Sequence, residues 1–443
     1  MSLANFTSFI REANFNWTDL LTGLTIGEFT FTSYLDYRQY NVLNKKNPPE
    51  SLKGAIDDET FEKSQLYGRE KLKFASFNKV FGLIQSLATI KYNLYAKFWN
   101  FSANLLAKSR FLPSSWNGII THSVYFFAVY TLFGTLISLP FSYYNTFKIE
   151  GKFGFNKHTL KSWSLDKVKE IFISLVIGLP IVAIFFKIVD YYGESFPLYG
   201  GAVTIIIQLV LQTIVPNFIT PLFFKYSKVE EGELRTKLEN LASKIGFPLN
   251  NLYVIDGSSK SSHSNAFFSG LPWSKQIVLF DTLINHSTPD EITAVLAHEL
   301  GHWKMNHIAK ALAFNSVQLV FLFYLSAKFL YNDSLYREFG FSSVQPPIVG
   351  FFLFSYIFEP INCALTFGDR IFSRHNEYEA DKFANDHGYK DSLIDALIKL
   401  DIQNLITIDA DWLYSSYHHS HPILPERLSA LGYLPKQILG KDK

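Results

Sequence analysis

Polarity along this chain changes in blocks. Four stretches, at about 118–143, 170–190, 199–224 and 347–369, stay apolar long enough to predict helices that cross a bilayer. A fifth lies at 308–331, with Val320 to Leu325 at its centre. Two earlier stretches have the length but also carry charge: Asp19, Glu28 and Asp36 fall within 17–36, and Lys79, Lys91 and Lys97 within 78–106. An amphipathic helix lying on a membrane surface has this look, and so does a span facing a water-filled cavity. We take both as spans, which gives seven.

The region from 225 to 307 has a different rhythm. Leu234, Leu238, Leu241 and Ile245 recur at helical spacing and predict an amphipathic helix over 229–246. Short apolar runs at 252–255, 266–269 and 276–279, separated by Gly- and Ser-rich turns, predict three strands. Pro289, Asp290 and Glu291 then open another helix, with acidic side chains in its first turn. The chain divides into five membrane helices within 1–224, a polar region at 225–307, two further spans within 308–372, and a final polar region at 373–443. The last is expected to be mostly helical as far as Leu405. The fold class is mainly α with one small sheet.

Basic residues orient this arrangement. Segments 37–77 and 144–169 are rich in Lys and Arg, as is 225–307, whereas 191–198 has none and 332–346 has only Arg337. The positive-inside rule places the three basic segments in the cytosol and the N-terminus on the other side. A five-span arrangement lacking both charged stretches leaves 225–307 on the same side. Residues 1–15 lack a basic segment followed by an apolar core, so the first span is expected to stay attached as an anchor.

Composition narrows the function classes. A net charge of +2 argues against a nucleic-acid surface. The lone Cys363 excludes an intramolecular disulfide and leaves histidine and carboxylate as metal ligands. Mean hydropathy is only +0.08, low for a chain with so many spans. A polar domain or polar-faced helices must dilute the average.

The chemistry concentrates at His298-Glu299-Leu300-Gly301-His302, an HExxH motif in the helix that Pro289 opens. Four residues apart, the two imidazoles share a helical face and can reach one zinc ion. Glu299 sits roughly 100° around the helix, placed to deprotonate a water held there. A catalytic zinc needs a third protein ligand. The richest source is Glu377-Tyr378-Glu379-Ala380-Asp381. Glu377 and Asp381 share a face and Glu379 points roughly 200° from Glu377, so at most one of the two glutamates faces the metal. The small sheet beside the helix also suggests how an extended peptide is held, by pairing with an exposed strand.

Taken together, the chain resembles the type I CAAX prenyl proteases, integral membrane zinc metalloproteases. The resemblance runs through the whole chain. It rests on Phe147–Lys157 (FKIEGKFGFNK), His263-Ser264-Asn265-Ala266-Phe267, His298–Trp303, Glu377–Asp381, His421-Pro422 and Glu426-Arg427. It implies seven helices around a water-filled chamber, one Zn2+ held by His298, His302 and Glu377, and Asp381 bracing the site from behind. It implies that His421 stabilises the oxyanion and that Asn265, Ala266 and Phe267 form the substrate edge. Arg427 is read as a structural ion pair. The implied reaction removes the last three residues of a prenylated CAAX protein, with a second, N-terminal cleavage of the a-factor precursor. The implied address is the endoplasmic reticulum membrane, and also the inner nuclear membrane. Two other classes share parts of this pattern: a membrane quality-control metalloprotease indifferent to prenylation, and a non-catalytic membrane protein using zinc as a cross-link. Glu299 speaks against the second, because a structural site has no use for a general base.

Overall fold

A computed structural model describes residues 15–109, 118–248, 251–269 and 276–434. The N-terminal stretch read above for a signal lies almost wholly outside them. The chain begins with α1 (Trp17–Val42), α2 (Asp58–Lys91), α3 (Leu94–Lys108) and α4 (Ile119–Tyr143), followed by a π-helical turn, Tyr144–Glu150. Next come α5 (Leu160–Tyr192) and α6 (Phe196–Ile214). The polar region holds β1 (Tyr226–Lys228), α7 (Glu233–Ile245), β2 (Asn251–Ile255), β3 (Ala266–Ser269), β4 (Gln276–Phe280), α8 (Asp281–His286) and α9 (Pro289–Lys304). The remainder is α10 (His307–Ser326), α11 (Asp333–Glu338), α12 (Pro347–Asp386), α13 (Lys390–Asn404), α14 (Trp412–His418) and α15 (Leu424–Ala430).

Four helical runs among the described residues are long and apolar enough to cross a membrane: Ile119–Glu150, Leu160–Leu222, His307–Ser326 and Pro347–Asp386. The second of these is long enough to hold two of the expected spans, because helical turns of one kind or another link α5 to α6 and carry on to Leu222. The two charged stretches are helical as well, with different limits. α1 runs on to Val42, well past 36. The expected span at 78–106 is not one element. Asn93 takes a left-handed backbone conformation (φ 49°) and breaks it into the end of α2 and all of α3. Asn tolerates that region better than most residues, and its short polar side chain hides such a break in a hydropathy profile. Much of the basic segment 37–77 is therefore helix, with the true connection at 43–57.

Two large cores, with a smaller cluster of Tyr67, Ile149, Phe155 and Leu405, hold the described residues together. One is rich in aromatic residues and lies among the membrane helices, with Trp17, Trp99, Phe126, Phe186, Phe196, Tyr336 and Phe354 buried in it. Glu338 of α11 closes this end by accepting from the backbone amides of Trp17 and Thr18 at 2.8 and 2.7 Å, which caps α1. The other core is aliphatic and surrounds α9. It takes Leu238, Leu241 and Ile245 from α7, Ile277 and Leu279 from β4, and Leu393 and Leu397 from α13. Leu52 and Ile56 join it from the connection between α1 and α2, and Phe61 from the first turn of α2, so the N-terminal helices are tied directly to the polar region.

The sheet has the order β1-β2-β4-β3. β2 and β4 are parallel (Leu252 opposite Ile277), while β1 and β3 flank them antiparallel. Three of these strands fall where periodicity predicts them. β1 is only three residues long and leaves no pattern to read. β3 pairs through Ala266–Leu279 with β4 alone, leaving its outer edge unpaired among the described residues.

Candidate metal centre

The helix carrying the HExxH motif has a well-defined start. Thr288 accepts from the Glu291 amide, and Glu291 Oε2 accepts in return from the Thr288 amide at 2.7 Å, with Pro289 in the first turn. Lys399 of α13 pairs with Glu291 at 2.6 Å and ties that start to the aliphatic core. Gly301 decides how near α12 can come. A Cβ there would lie 3.1 Å from the Ala380 Cα and from the Phe383 Cβ, tighter than ordinary packing permits. With no side chain at 301, α9 and α12 approach closely enough for groups on both to meet.

α12 brings a rigid connection that hydropathy alone does not reveal. The helix that begins as the last apolar span continues unbroken to Asp386 and carries Glu377, Glu379 and Asp381 on its far half. The boundary drawn above at 372–373 thus falls inside one helix.

His298, His302 and Glu377 converge. The two Nε2 atoms are 3.1 Å apart, and Glu377 oxygens lie 3.5 Å from His298 Nε2 and 3.3 Å from His302 Nε2. A tetrahedral ion bonded at about 2.0–2.2 Å separates its ligands by roughly 3.3–3.6 Å, so the three donors have the size and chemistry for zinc. Electrostatics agree. Burial opposes charge on His298, yet Asp381 and Glu377 outweigh it and lift the imidazole to about 9. Burial likewise opposes charge on Glu377, but His298, His302 and His421 around it hold it well below the usual carboxylate range. The pocket favours positive charge where an ion would sit.

Asp381 meets His298 Nδ1 at 2.8 Å from the side away from Glu377's cluster, and Arg427 of α15 grips the same carboxylate with Nε and Nη2, at 2.8 and 2.5 Å. Arg427 also lies 3.8 Å from Glu377. Its ion pair is present, as read from sequence, but in the wall of the site. His421, largely exposed, approaches Glu377 Oε2 at 2.8 Å through Nδ1. Glu299 is half-buried and faces a cavity of about 490 Å³ together with His298, Glu377, His421 and Arg427.

The edge strand adjoins this cavity. Ser264, Asn265 and Ala266 line it, whereas Phe267 turns the other way and packs edge-on against Phe280 with ring centres 6.3 Å apart. Of the three residues read as the substrate edge, two therefore face the metal centre and one braces the sheet. A second cavity of about 660 Å³ shares Ser264, Asn265, Asn404 and Thr407 with the first. It reaches Gln39 and Leu43 of α1 and its C-terminal flank, and Tyr67 and Lys71 of α2. The metal-side cavity thus opens toward the first two helices.

Three features escape the sequence reading. Asp401 of α13 lines the first cavity, and burial pushes its carboxyl up to about 7 although Arg427 and His421 favour its charge. Glu150, at the end of the π-helical turn, accepts from Tyr67 and Lys71 and meets His263 Nε2 at 3.3 Å, just before the edge strand. His307, at the head of α10, meets His302 and Glu379.

Comparison with known proteins follows this geometry. Residues 39–225 match the family model described as CAAX prenyl protease N-terminal, five membrane helices, and residues 228–434 match that of peptidase family M48. CAAX prenyl protease 1 of Saccharomyces cerevisiae is 44% identical, covering 97% of this chain and 98% of that protein. The CAAX prenyl protease 1 homolog of Homo sapiens is 35% identical, covering 94% of each. The crystal structure of S. mikatae Ste24p superposes with a TM-score of 0.90 at 44% identity, covering 95% of this chain and 100% of that one. Joining a membrane-helix domain to a peptidase domain built on an HExxH helix, this chain belongs to the CAAX prenyl protease family.

Proposed function

We propose that this protein is a zinc metalloendopeptidase that removes the three C-terminal residues of prenylated CAAX proteins. The observation that carries this reading is the convergence of His298, His302 and Glu377 beside a strand edge unpaired among the described residues, in a cavity that continues to the first two helices. Bound zinc would polarise the scissile carbonyl and acidify the attacking water. Glu299, free of metal-binding duty but facing the same cavity, accepts the proton of that water and returns it to the leaving amine. His421 donates from Nδ1 to Glu377, and as the doubly protonated imidazolium it also donates from Nε2 to the developing oxyanion. Asn265 and Ala266 offer the backbone edge along which an extended peptide pairs. Arg427 orients the site through Asp381 and does not act on the substrate.

A prenyl chain on the substrate cysteine explains why peptidase chemistry is built onto membrane helices: the lipid needs an apolar place while the peptide reaches the site. A quality-control protease would use the same zinc chemistry with no such dependence. Purified protein offered one CAAX peptide with and without the prenyl group separates the two. The proposal expects cleavage three residues from the C-terminus, faster on the prenylated peptide and abolished by a zinc chelator. Equal cleavage of both peptides would support the quality-control reading.

The same reading places the protein in the endoplasmic reticulum membrane with the metal centre facing the cytosol, since the substrates are cytosolic and the basic connections cluster on that side. Cysteine labelling in sealed microsomes, on a Cys363→Ser background, tests it. Sites at 43–57 and in 225–307 should react from the cytosol, and sites at 193–195 and 332–346 should be protected. Protection of 225–307 would reverse the orientation and remove cytosolic proteins as substrates.

A further inference from the structure

The two histidines of the motif use Nε2 toward the shared metal position, so each has Nδ1 left over. Asp381 takes that of His298. His302 Nδ1 lies 2.8 Å from His307 Nδ1, and His307 Nε2 lies 2.9 Å from Glu379 Oε2. His307 is buried, with a side chain 4% exposed. Two facing Nδ1 atoms form a hydrogen bond only if one carries a proton and the other does not. A carboxylate accepts only, so His307 must place its proton on Nε2, toward Glu379. That leaves His307 Nδ1 as an acceptor, and His302 Nδ1 as the donor to it. His302 is then fixed in the tautomer whose Nε2 lone pair is free for a metal. Glu379 also lies 3.5 Å from His375, one turn before it on α12, but its shorter contact is with His307.

From this chain of contacts we infer that Glu379 and His307 form a positioning relay that sets the tautomer and orientation of His302, as Asp381 does for His298. The inference rests on the metalloprotease reading only in taking His302 as a ligand. Its consequence is economical in sequence. Glu377 faces the metal, and the carboxylates two and four residues later brace the two histidines from different sides, so one short stretch of α12 supplies a ligand and both supports. The helix geometry that turns Glu379 away from the metal is what aims it at His307. The break at Asn306 makes the relay possible, because its left-handed conformation (φ 58°) ends one helix and starts the next with His307 set beside His302.

Partners that orient metal-binding histidines are worth about 10- to 100-fold in metal affinity. The test is zinc affinity of the purified full-length protein, measured by competition with a chelator, beside thermal unfolding of the zinc-free form. His307→Phe keeps the ring volume and loses both hydrogen bonds. It should weaken zinc binding about 10- to 100-fold, with the zinc-free unfolding temperature near that of the parent. His307→Gln, able to accept from His302 and donate toward Glu379, should recover part of the loss. Glu379→Ala should weaken zinc by a smaller factor, because water can replace the carboxylate at the partly exposed end of the relay. If His307→Phe binds zinc as tightly as the parent, the relay is overturned. If that variant fails to fold, Glu379→Ala decides, and unchanged zinc affinity in it overturns the proposal equally. Peptide cleavage is not the readout, so failure of the relay leaves the peptidase assignment standing, and failure of peptidase activity leaves the relay testable.

Discussion

Charged side chains meet across helices at several places among the described residues, and two of these crossings have different outcomes. Where α1 passes α2, Asp36 pairs with Lys79 at 2.7 Å and also accepts from Ser76. One negative and one positive group close on each other and nothing is left over. Where α9 passes α12, Glu377 and Asp381 bring two carboxylates, with Glu299 facing the same cavity, while Arg427 is the one guanidinium at the cluster. His298 is drawn toward its charged form to make up part of the difference. The first crossing is neutral and complete. The second holds an excess of negative charge aimed at a point between three donors. Burying an unbalanced charge is costly, so an excess of this kind persists where a cation is meant to supply the balance. A closed pair reads as structure and an open one as function.

The comparison can be broken most decisively at the metal centre. Glu299 belongs to the excess charge but not to the donor triangle, and so Glu299→Gln should keep zinc and lose cleavage by about 10²- to 10⁴-fold. Glu377→Ala should lose zinc itself, because it deletes one corner of the triangle. Metal analysis beside a turnover assay reads both variants. A Glu299→Gln protein that cleaves at near the parent rate would remove that residue from the chemistry, and a Glu377→Ala protein that retains full zinc would make the open site something other than a zinc centre.

How much of each crossing is legible in the sequence follows from its physics. His298, Glu299 and His302 are readable because one helix fixes their relative positions at a four-residue spacing. Glu377 is harder. It lies 75 positions beyond His302, and helical geometry excludes one member of the Glu377–Glu379 pair without saying which, so resemblance makes the choice. His307 is lost because it stands where an apolar span begins, and nothing in the sequence announces that a break at Asn306 will set it beside His302. Asp401 is an ordinary polar position of an amphipathic helix until tertiary packing buries it beside Arg427. The apolar helices announce themselves by length, while α1 and α2 carry charges that pair between them. Asp36 and Lys79 each lower the apolarity of their own helix in a hydropathy profile, yet they are one interaction in the fold.

That pairing yields the smaller prediction. Both side chains are mostly buried, at 11% and 23% exposure. Removing either partner leaves the other charge short of solvent, whereas replacing both with apolar groups of similar volume removes the desolvation cost along with the attraction. Asp36→Leu and Lys79→Met should each lower the thermal unfolding midpoint in detergent, while the double variant should recover to near the parent. A coupling of about 1–3 kcal/mol is expected for directly contacting groups. The same variants should keep their zinc, since neither residue lies at the α9–α12 crossing. If the two losses simply add, Asp36 and Lys79 do not stabilise each other and the crossing is not a closed pair. If zinc is lost with the pair, charge at the first crossing serves the metal centre, and the division between a structural and a functional crossing fails.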